Sequence, residues 1–254
     1  MANKKNDRLV DGIIKAHYKY LDETNLSDRV AREMRKVDRI IFVGTCHKDE
    51  DIYNPKKIIE IGFEQTCSQP TMVAHMADKL RLRPGYKLLE VGTGCGYSTA
   101  VHALLISPGG TLISVERHLE LMRRSEDNLV KWYNTLPKSK TGNSKRYQAQ
   151  VNESLTGFDI ELILKNEITK VLLRYGNAFN GYLRYQPYDR IVLTAGANIE
   201  YDDTPLVQQL KDGGILLYPK IDYAGIGSMC LVKKKDPLER NEYGTVCFVR
   251  LVPQ

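Results

Sequence analysis

The segment LLEVGTGCGYSTA, from Leu88 to Ala100, combines residue types that can hold a nucleotide-like ligand. An apolar stretch typical of a buried strand leads into three glycines at alternate positions: Gly92, Gly94 and Gly96. Glycine allows sharp backbone turns and lets a ligand approach without meeting a Cβ atom. Glu116 ends the next apolar stretch, where a carboxylate can accept hydrogen bonds from both hydroxyls of a ribose. The spacing predicts a nucleoside site at the carboxyl end of a parallel strand.

Two classes of nucleotide ligand compete for this segment. A dinucleotide site prefers G-x-G-x-x-G and places a pyrophosphate on a helix N-terminus, but here the third glycine comes one position early. Glu90 lies two positions before Gly92; its charge disfavours a pyrophosphate but suits the amino and sulfonium groups of S-adenosyl-L-methionine. No Gly-Lys-Ser/Thr follows, which excludes a phosphate-cradling P-loop. We therefore predict S-adenosyl-L-methionine as the cofactor, and this chemistry requires no metal ion.

Strand and helix signals alternate around this segment. Seven apolar stretches predict strands, the last two as a closing antiparallel pair: 87–91, 111–116, 171–174, 188–194, 215–218, 229–232 and 245–251. Helical periodicity covers the first 40 residues, the stretch after Pro70, two stretches after the glycines, and a helix ending at Gly213-Gly214. This order predicts an α/β, doubly wound, Rossmann-like fold of the S-adenosyl-L-methionine-dependent methyltransferase kind. Its seven-stranded sheet is mostly parallel, with an antiparallel C-terminal hairpin and N-terminal helices.

The length of 254 residues predicts one domain, 1–254. We assign 1–83 to an N-terminal helical and substrate-side segment and 84–254 to the cofactor-binding core. A polar stretch without a clear period, at about 137–165, predicts a surface insertion that is partly disordered.

Composition and charge limit the cellular compartment and the binding partners that the sequence predicts. The net charge of +6 is mild and no nucleic-acid-binding motif accompanies it, so we do not expect a nucleic acid partner. No stretch approaches the ~20 apolar residues of a membrane span, and Met1 to Arg8 are polar, unlike a secretory signal. Five scattered cysteines lack the spacing of a zinc clip and predict free thiols. These features predict a cytoplasmic protein with neither a membrane nor a metal partner.

Four segments resemble one enzyme family, in the family's order. The segment IGFEQTCSQP, 61–70, is similar to the I-G-x-x-x-T-I-S-x-P segment of the protein-L-isoaspartate (D-aspartate) O-methyltransferase family. VDRIIFV, 37–43, resembles its V-D-R-x-x-F segment, and YDRIVLTAGA, 188–197, its Y-D-x-I-x-x-x-A-A-A segment. LVQQLKDGGILLYP, 206–219, resembles its L-x-x-Q-L-K-x-G-G-R-L-x-x-P. The resemblance covers nearly the whole chain except the predicted insertion.

The resemblance implies a protein repair enzyme and a set of site residues. The family moves a methyl group from S-adenosyl-L-methionine to the free carboxylate of L-isoaspartyl residues in damaged proteins or peptides. Ser68 matches its active-site serine, and further substrate contacts are implied at Thr66, Gln69, Met72, Ala195 and Gly196. The implied cofactor contacts are Gly92, Gly94, Gly96 and Glu116. Asn177 stands where the family usually has the Asp of a Gly-Asp-Gly turn on the adenine side, and its amide can still donate and accept hydrogen bonds.

Other interpretations stay open beside this one. By residue type alone, Ser68 suits the N-cap of the helix that begins near Pro70 equally well. The chain as a whole also fits a divergent cofactor-binding adaptor of the same fold, or a methyltransferase with another peptide acceptor. We expect isoaspartyl-containing proteins or peptides as substrates and a monomer in solution.

Overall fold

The computed structural model describes residues 3–20, 26–136, 157–164, 167–198, 200 and 204–252. These residues contain eight α-helices: α1 Lys4–Tyr20, α2 Asp28–Met34, α3 Ile40–Val43, α4 Asp49–Ile52, α5 Pro70–Lys79, α6 Tyr97–Leu105, α7 Leu119–Thr135 and α8 Pro205–Gln208. A 3₁₀ turn spans Leu183–Tyr185. None of the described helices is long and apolar enough to cross a lipid bilayer.

Ten strands lie in the same described residues. They are β1 Ile59–Gly62, β2 Gln65–Cys67, β3 Lys87–Val91, β4 Thr111–Glu116, β5 Gly157–Leu164, β6 Glu167–Tyr175, β7 Tyr188–Leu193, β8 Leu210–Ile221, β9 Ile226–Lys233 and β10 Glu239–Cys247. β1 and β2 form a separate antiparallel hairpin. The other strands form one sheet in the order β10-β9-β8-β7-β3-β4-β6-β5.

The centre of the large sheet is parallel, which confirms the predicted doubly wound α/β fold. β8, β7, β3, β4 and β6 run in the same direction, and β9 and β10 add an antiparallel hairpin at one edge. Helices between consecutive parallel strands must cross over a face of the sheet, so strands and helices alternate along the chain.

The opposite edge of the sheet carries a strand that the sequence did not predict. β5 pairs antiparallel with β6, so the described sheet has eight strands rather than the expected seven. Ile160 and Leu162 are fully buried, whereas Asp159 and Glu161 alternate with them and are not. This alternation buries one face of an edge strand within a polar stretch. The remainder of the predicted insertion, 137–156 and 165, lies outside the described residues.

Both faces of the sheet are packed, and the side chains of neighbouring strand residues lie on opposite faces. Leu88 belongs to the apolar cluster that contains the helices of the N-terminal third, α6 and α7. Leu89 belongs to the cluster on the other face, which includes Leu206 and Val207 of α8. Sheets buried on both faces require this near-continuous apolar strand sequence, which is why β3 was readily predicted.

The chain after β7 departs from the prediction at two places. The helix expected to end at Gly213-Gly214 is the single turn α8, which ends at Gln208. The two glycines lie in β8, where the backbone N–H of Gly213 donates to the carbonyl of Lys234. The pairing of β8 with β7 is irregular at this point. The strand expected at 245–251 is β10, which ends at Cys247. The residues that follow β10 turn toward the functional cleft instead of continuing the hairpin.

Candidate active site

A cleft opens at the carboxyl ends of the parallel strands, where the β1–β2 hairpin approaches the sheet. It encloses about 970 Å³ of space, including its mouth toward solvent. Five short stretches form most of its wall: 65–68, 91–95, 115–117, 176–178 and 249–252. Doubly wound sheets bind ligands at this edge, because the loops between strands and helices converge there. The cleft therefore lies where the sequence predicted a nucleoside site.

Two of the three glycines lie in the cleft wall. A Cβ atom on Gly92 would meet Oγ1 of Thr194 at 2.3 Å, so the end of β7 can approach this turn only because residue 92 is glycine. Gly94 lines the cleft, and its backbone N–H donates to Oε2 of Glu116 at 2.8 Å. Oε1 of Glu116 accepts from the N–H of His118 at 2.9 Å. These bonds hold the Glu116 carboxylate at the cleft, with further lone pairs for a ligand's hydroxyls.

Glu90 is fully buried and does not line the cleft. Its Oε2 accepts from the hydroxyls of Thr99 and Ser114, both at 2.6 Å, and Oε1 lies 3.0 Å from Nδ1 of His102. Alternation along β3 turns this side chain into the packed face below the glycine turn. In the structure Glu90 supports the turn and the start of α6 from beneath, and its contact with the cofactor stays a prediction.

The charge of Glu90 orients a second buried group. Burial opposes ionisation, but the hydrogen bond and charge of His102, with the two hydroxyl donors, outweigh it and hold the pKa of Glu90 below its usual range. An ionised carboxylate only accepts hydrogen bonds, so Nδ1 of His102 carries a proton. His102 lines the cleft, and its buried Nε2 has no partner among the described residues. Buried polar atoms of this kind normally pair with a ligand or an ordered water.

Gly96 serves helix packing and does not line the cleft. It is the N-cap of α6, with φ +88°. A Cβ atom there would lie 3.3 Å from Cβ of Ser125 and 3.4 Å from Cγ of Leu129, both on α7. Gly96 thus allows a close approach between the turn and α7, and its contact with the cofactor stays a prediction.

Ser68 lies in the cleft wall, directly after β2. Its carbonyl accepts from Nη2 of Arg39 at 3.3 Å, and the same guanidinium nitrogen donates to the carbonyl of Lys57 at 2.7 Å. Arg39 is completely buried, so this ion fixes the backbone on which Ser68 stands. The N-cap of α5 is Gln69, without a side-chain cap bond, so the Ser68 hydroxyl is not used as a cap.

The other predicted substrate residues on this side divide into two groups. Thr66 lines the cleft beside Ser68. Gln69 and Met72 do not line it, and Met72 is buried in the core at 4% exposure. Val73 and Met76 line the cleft instead, because the phase of α5 turns those positions toward it. The sequence located the helix but not the phase of its inner face.

Two buried cysteines and a tyrosine in the cleft wall were not predicted as site residues. Cys67, Cys95 and Tyr97 line the cleft, and each is 4% exposed or less. Each is next to a predicted residue in the sequence, either Ser68 or one of the glycines. Their positions in the sequence could therefore have indicated that they lie in the cleft wall. Burial raises the pKa of the Tyr97 phenol, so this side chain is neutral at physiological pH.

The far wall of the cleft depends on the C-terminal segment. Ala195 lines the cleft, whereas Gly196 does not and instead donates its N–H to the carbonyl of Val249 at 2.7 Å. Asn177 lines the cleft, and its Nδ2 donates to the carbonyl of Val252 at 3.0 Å. Gly196 thus anchors the segment 249–252, which no sequence pattern placed at the site, and its contact with the substrate stays a prediction.

Comparison with known proteins agrees with this geometry. The model of the protein-L-isoaspartate(D-aspartate) O-methyltransferase family matches residues 15–254, which is most of the chain. The chain belongs to this family. A protein-L-isoaspartate O-methyltransferase of Methanopyrus kandleri is 36% identical over 230 residues, covering 89% of this chain and 84% of the relative.

Solved structures of the same description share the fold. A crystal structure described as a protein-L-isoaspartate O-methyltransferase of Plasmodium falciparum, in complex with S-adenosyl-L-homocysteine, matches with a TM-score of 0.70. The match has 19% sequence identity and covers 98% of this chain and 99% of that one. Another protein-L-isoaspartate O-methyltransferase matches with a TM-score of 0.70 and 22% identity, covering 98% of this chain and 66% of that longer chain. At these identities the structural likeness establishes the fold.

Among the residues that the structure describes, no group of three or more His, Cys, Asp or Glu side chains is placed to hold a metal ion.

Proposed function

We propose that this chain moves the methyl group of S-adenosyl-L-methionine to the free α-carboxylate of L-isoaspartyl residues in damaged proteins or peptides. Membership in the family makes it an S-adenosyl-L-methionine-dependent methyltransferase. One observation carries the choice of acceptor: Ser68 and the glycine turn, more than 20 positions apart in the sequence, open into one cleft. A methyl donor on the turn and a carboxylate at Ser68 would face each other there.

The residues of the cleft fit the cofactor. The turn at Gly92 and Gly94 offers a backbone surface without Cβ atoms, and the Glu116 carboxylate beside it has lone pairs for ribose hydroxyls. The unpartnered Nε2 of His102 can bind a polar group of the methionine end. Asn177 would act through the segment 249–252, which its amide holds against the cleft. When bound, S-adenosyl-L-methionine supplies an electrophilic methyl group on a sulfonium.

The chain's own residues contribute to the reaction by positioning the acceptor carboxylate against the methyl group. The acceptor carboxylate has an ordinary pKa near 4 and is ionised at neutral pH, so it needs no general base. The Ser68 hydroxyl can donate a hydrogen bond to one carboxylate oxygen and leave the other oxygen to attack. The backbone of Ser68 is held by the buried Arg39, so the hydroxyl is presented from a fixed point. Precise alignment of this kind can supply about 7–11 kcal/mol of the barrier of a bimolecular reaction.

The test uses labelled S-adenosyl-L-methionine and two peptides that differ only in an L-isoaspartyl or an L-aspartyl residue. We expect base-labile label on the isoaspartyl peptide alone. Ser68→Ala should lower kcat/KM for this peptide by roughly tenfold or more, since it removes a hydrogen bond to a charged group. Ser228→Ala is the matched control, because that hydroxyl bonds Glu242 on β10, away from the cleft lining.

Two results would count against the proposal. Equal label on both peptides would mean that the cleft does not select isoaspartate. Absence of label, while S-adenosyl-L-homocysteine binds in a parallel calorimetric titration, would mean another acceptor.

A further inference from the structure

An arginine and a tyrosine lie together at the mouth of the cleft. Arg250 belongs to the segment 249–252 that forms the far wall, and it lines the cleft. Its guanidinium carbon Cζ is 5.1 Å from the centroid of the Tyr223 ring, within the range of a cation–π contact. Arg250 is exposed, and Tyr223 is 84% exposed. Both side chains are therefore open to a molecule that approaches the cleft.

Backbone hydrogen bonds fix both residues in place. Two bonds of 2.7 Å join Gly196 to the residues on either side of Arg250. In the turn between β8 and β9, Oδ1 of Asp222 accepts from two backbone N–H groups, at 2.8 and 3.0 Å, and so holds the chain around Tyr223. A bond of 3.1 Å from the N–H of Phe248 joins this turn to the chain just before Arg250. The ring and the guanidinium are thus preorganised, which lowers the cost of binding a partner.

The charge of Arg250 is not neutralised by the rest of the described chain. Among the residues that the structure describes, no carboxylate forms an ion pair with it, whereas Arg240 pairs with Glu200. A guanidinium that lies over a ring keeps its N–H edge available for two parallel hydrogen bonds to a carboxylate. Arg117 also lines the cleft, and Glu116 is the one acidic residue in the described lining. The mouth of the cleft therefore favours a negatively charged partner.

We propose that Arg250 and Tyr223 form a subsite for an acidic side chain that flanks the isoaspartyl residue, so that the protein prefers acidic peptides as acceptors. This inference rests on the proposed function. The reacting carboxylate must lie inside the cleft, beside the methyl group and Ser68, so the exposed pair at the mouth meets another residue of the same peptide. An extended peptide advances about 3.3 Å per residue, which brings close neighbours of the isoaspartyl residue to the mouth. Arginine and tyrosine are also enriched among the residues that carry binding energy at interfaces.

The test compares isoaspartyl peptides that differ only in their flanking charge. Each peptide is acetylated and amidated at its ends and has two glutamates, two glutamines or two lysines on each side of the isoaspartyl residue. Fluorescence anisotropy in the presence of S-adenosyl-L-homocysteine measures their affinities for the full chain. We expect the glutamate peptide to bind roughly two- to fivefold more tightly than the glutamine peptide, the range of an exposed ion pair. The lysine peptide should bind most weakly, and added salt should reduce these differences.

Substitutions assign the preference to the two residues. Arg250→Gln should abolish it, and Arg250→Glu should reverse it in favour of the lysine peptide. Tyr223→Phe retains the ring and should retain the preference, whereas Tyr223→Leu should weaken it. Arg184→Gln is the matched control, because Arg184 also lies over a tyrosine ring, at 5.7 Å, but outside the cleft lining. It removes the same charge from the protein and should leave the preference unchanged.

Methyl transfer to the glutamine peptide reports the proposed function separately, since the flanks of that peptide are neutral. Transfer to this peptide, with equal affinities for the glutamate and glutamine peptides, would overturn the subsite while the proposed function stands. A preference for glutamate that persists in Arg250→Gln, or that Arg184→Gln also removes, would overturn it as well, and so would the failure of all three peptides to bind. A preference that depends on Arg250, without methyl transfer to any peptide, would support the subsite and reject the proposed reaction.

Discussion

Two glutamates on neighbouring strands use their carboxylates differently. Glu116, at the end of β4, is held by backbone N–H groups at the cleft. Glu90, on β3, is enclosed by side chains below the turn and bonds Thr99, Ser114 and His102. A buried charge persists only when hydrogen bonds replace its lost hydration. Glu90 therefore supports the site from below. We expect its substitution to lower the stability of the folded protein.

Glu90→Gln should lower the free energy of unfolding by about 1–3 kcal/mol, the usual cost of disrupting a buried bonded charge. The folded-state pKa of Glu90 is lowered, so the stabilisation is present above the ordinary pKa of about 4.3. It is lost as the pH falls through the lower folded-state value. Urea unfolding of both proteins at pH 7 and in acid measures this difference.

The stability gap between wild type and Glu90→Gln should thus be largest at pH 7 and shrink in acid. Glu161→Gln provides the control, because Glu161 is 54% exposed and pairs with Lys170 at the surface; its unfolding curve should match the wild type. A gap that stays constant with pH, or widens in acid, would contradict an ionised Glu90.

Sequence patterns identify residue types near the site but not which face each side chain takes. Glycines and a strand-end acid were sufficient to place the turn and Glu116 at the cleft edge. Glu90 and Met72 do not line the cleft, because one step along a strand, or one along a helix, turns a side chain away from it. His102 follows the glycine turn within an apolar helix, and only the fold shows that it meets Glu90.

At the scale of elements, the glycine turn is fixed by the helices on either side of it. α6 begins at Gly96, whose backbone φ is +88°. α7 packs against that glycine through Ser125 and Leu129, and Asn128 of α7 donates to the carbonyls of Phe42 and Cys95. The position of the turn therefore depends on α7 as well as on β3.

Gly96→Ala should destabilise the protein through two effects. A left-handed backbone conformation costs an alanine roughly 1–2 kcal/mol, and the added methyl group must displace α7. Gly85→Ala is the matched control, since Gly85 also has a positive φ, +79°, but its Cβ would meet nothing within 4 Å. We expect Gly96→Ala to cost at least about 1 kcal/mol more in chemical unfolding, as overpacking does. Equal losses in the two variants would mean that α7 does not press on the turn.

The elements that the sequence predicted are those with a strong apolar pattern. The central strands are buried on both faces and were found where expected. The apolar pattern did not predict the β1–β2 hairpin, because its strands have only four and three residues. β5 was missed because its polar residues alternate with its buried ones within an otherwise polar stretch. Short or half-polar strands gain their stability from partners that a single sequence does not show.

At the scale of the molecule, the N-terminal helices and the cofactor core share one apolar cluster. Leu9 and Ile13 of α1 belong to the same cluster as Leu88 of β3 and Val246 of β10. Trp132 of α7 is fully buried, and its Nε1 donates to the carbonyl of Lys36 at 2.8 Å. These contacts cross the boundary near residue 83 that the sequence predicts between two segments of one domain.

We expect the chain to unfold in one cooperative transition. Trp132 is the single tryptophan of the sequence, so its fluorescence reports the junction between the two segments. Far-UV circular dichroism reports the helices and strands as a whole, and for a two-state domain the two urea curves coincide. A fluorescence transition at lower urea than the circular dichroism transition would mean that the N-terminal segment separates first.

Repair itself is the most direct test of the central claim. A methyl ester loses its methoxy group far more readily than a carboxylate loses an oxygen. The backbone nitrogen that follows an isoaspartyl methyl ester can therefore attack the ester carbonyl, expel methanol with the amide proton, and close a succinimide ring. Hydrolysis of that ring at its other carbonyl gives a normal aspartyl residue. The measurement is chromatography of an L-isoaspartyl peptide incubated with the protein and excess S-adenosyl-L-methionine. We predict succinimide and then aspartyl peptide at the expense of the starting peptide, only when the cofactor is present. A peptide that remains isoaspartyl throughout, or carries a stable methyl group elsewhere, would contradict the assignment.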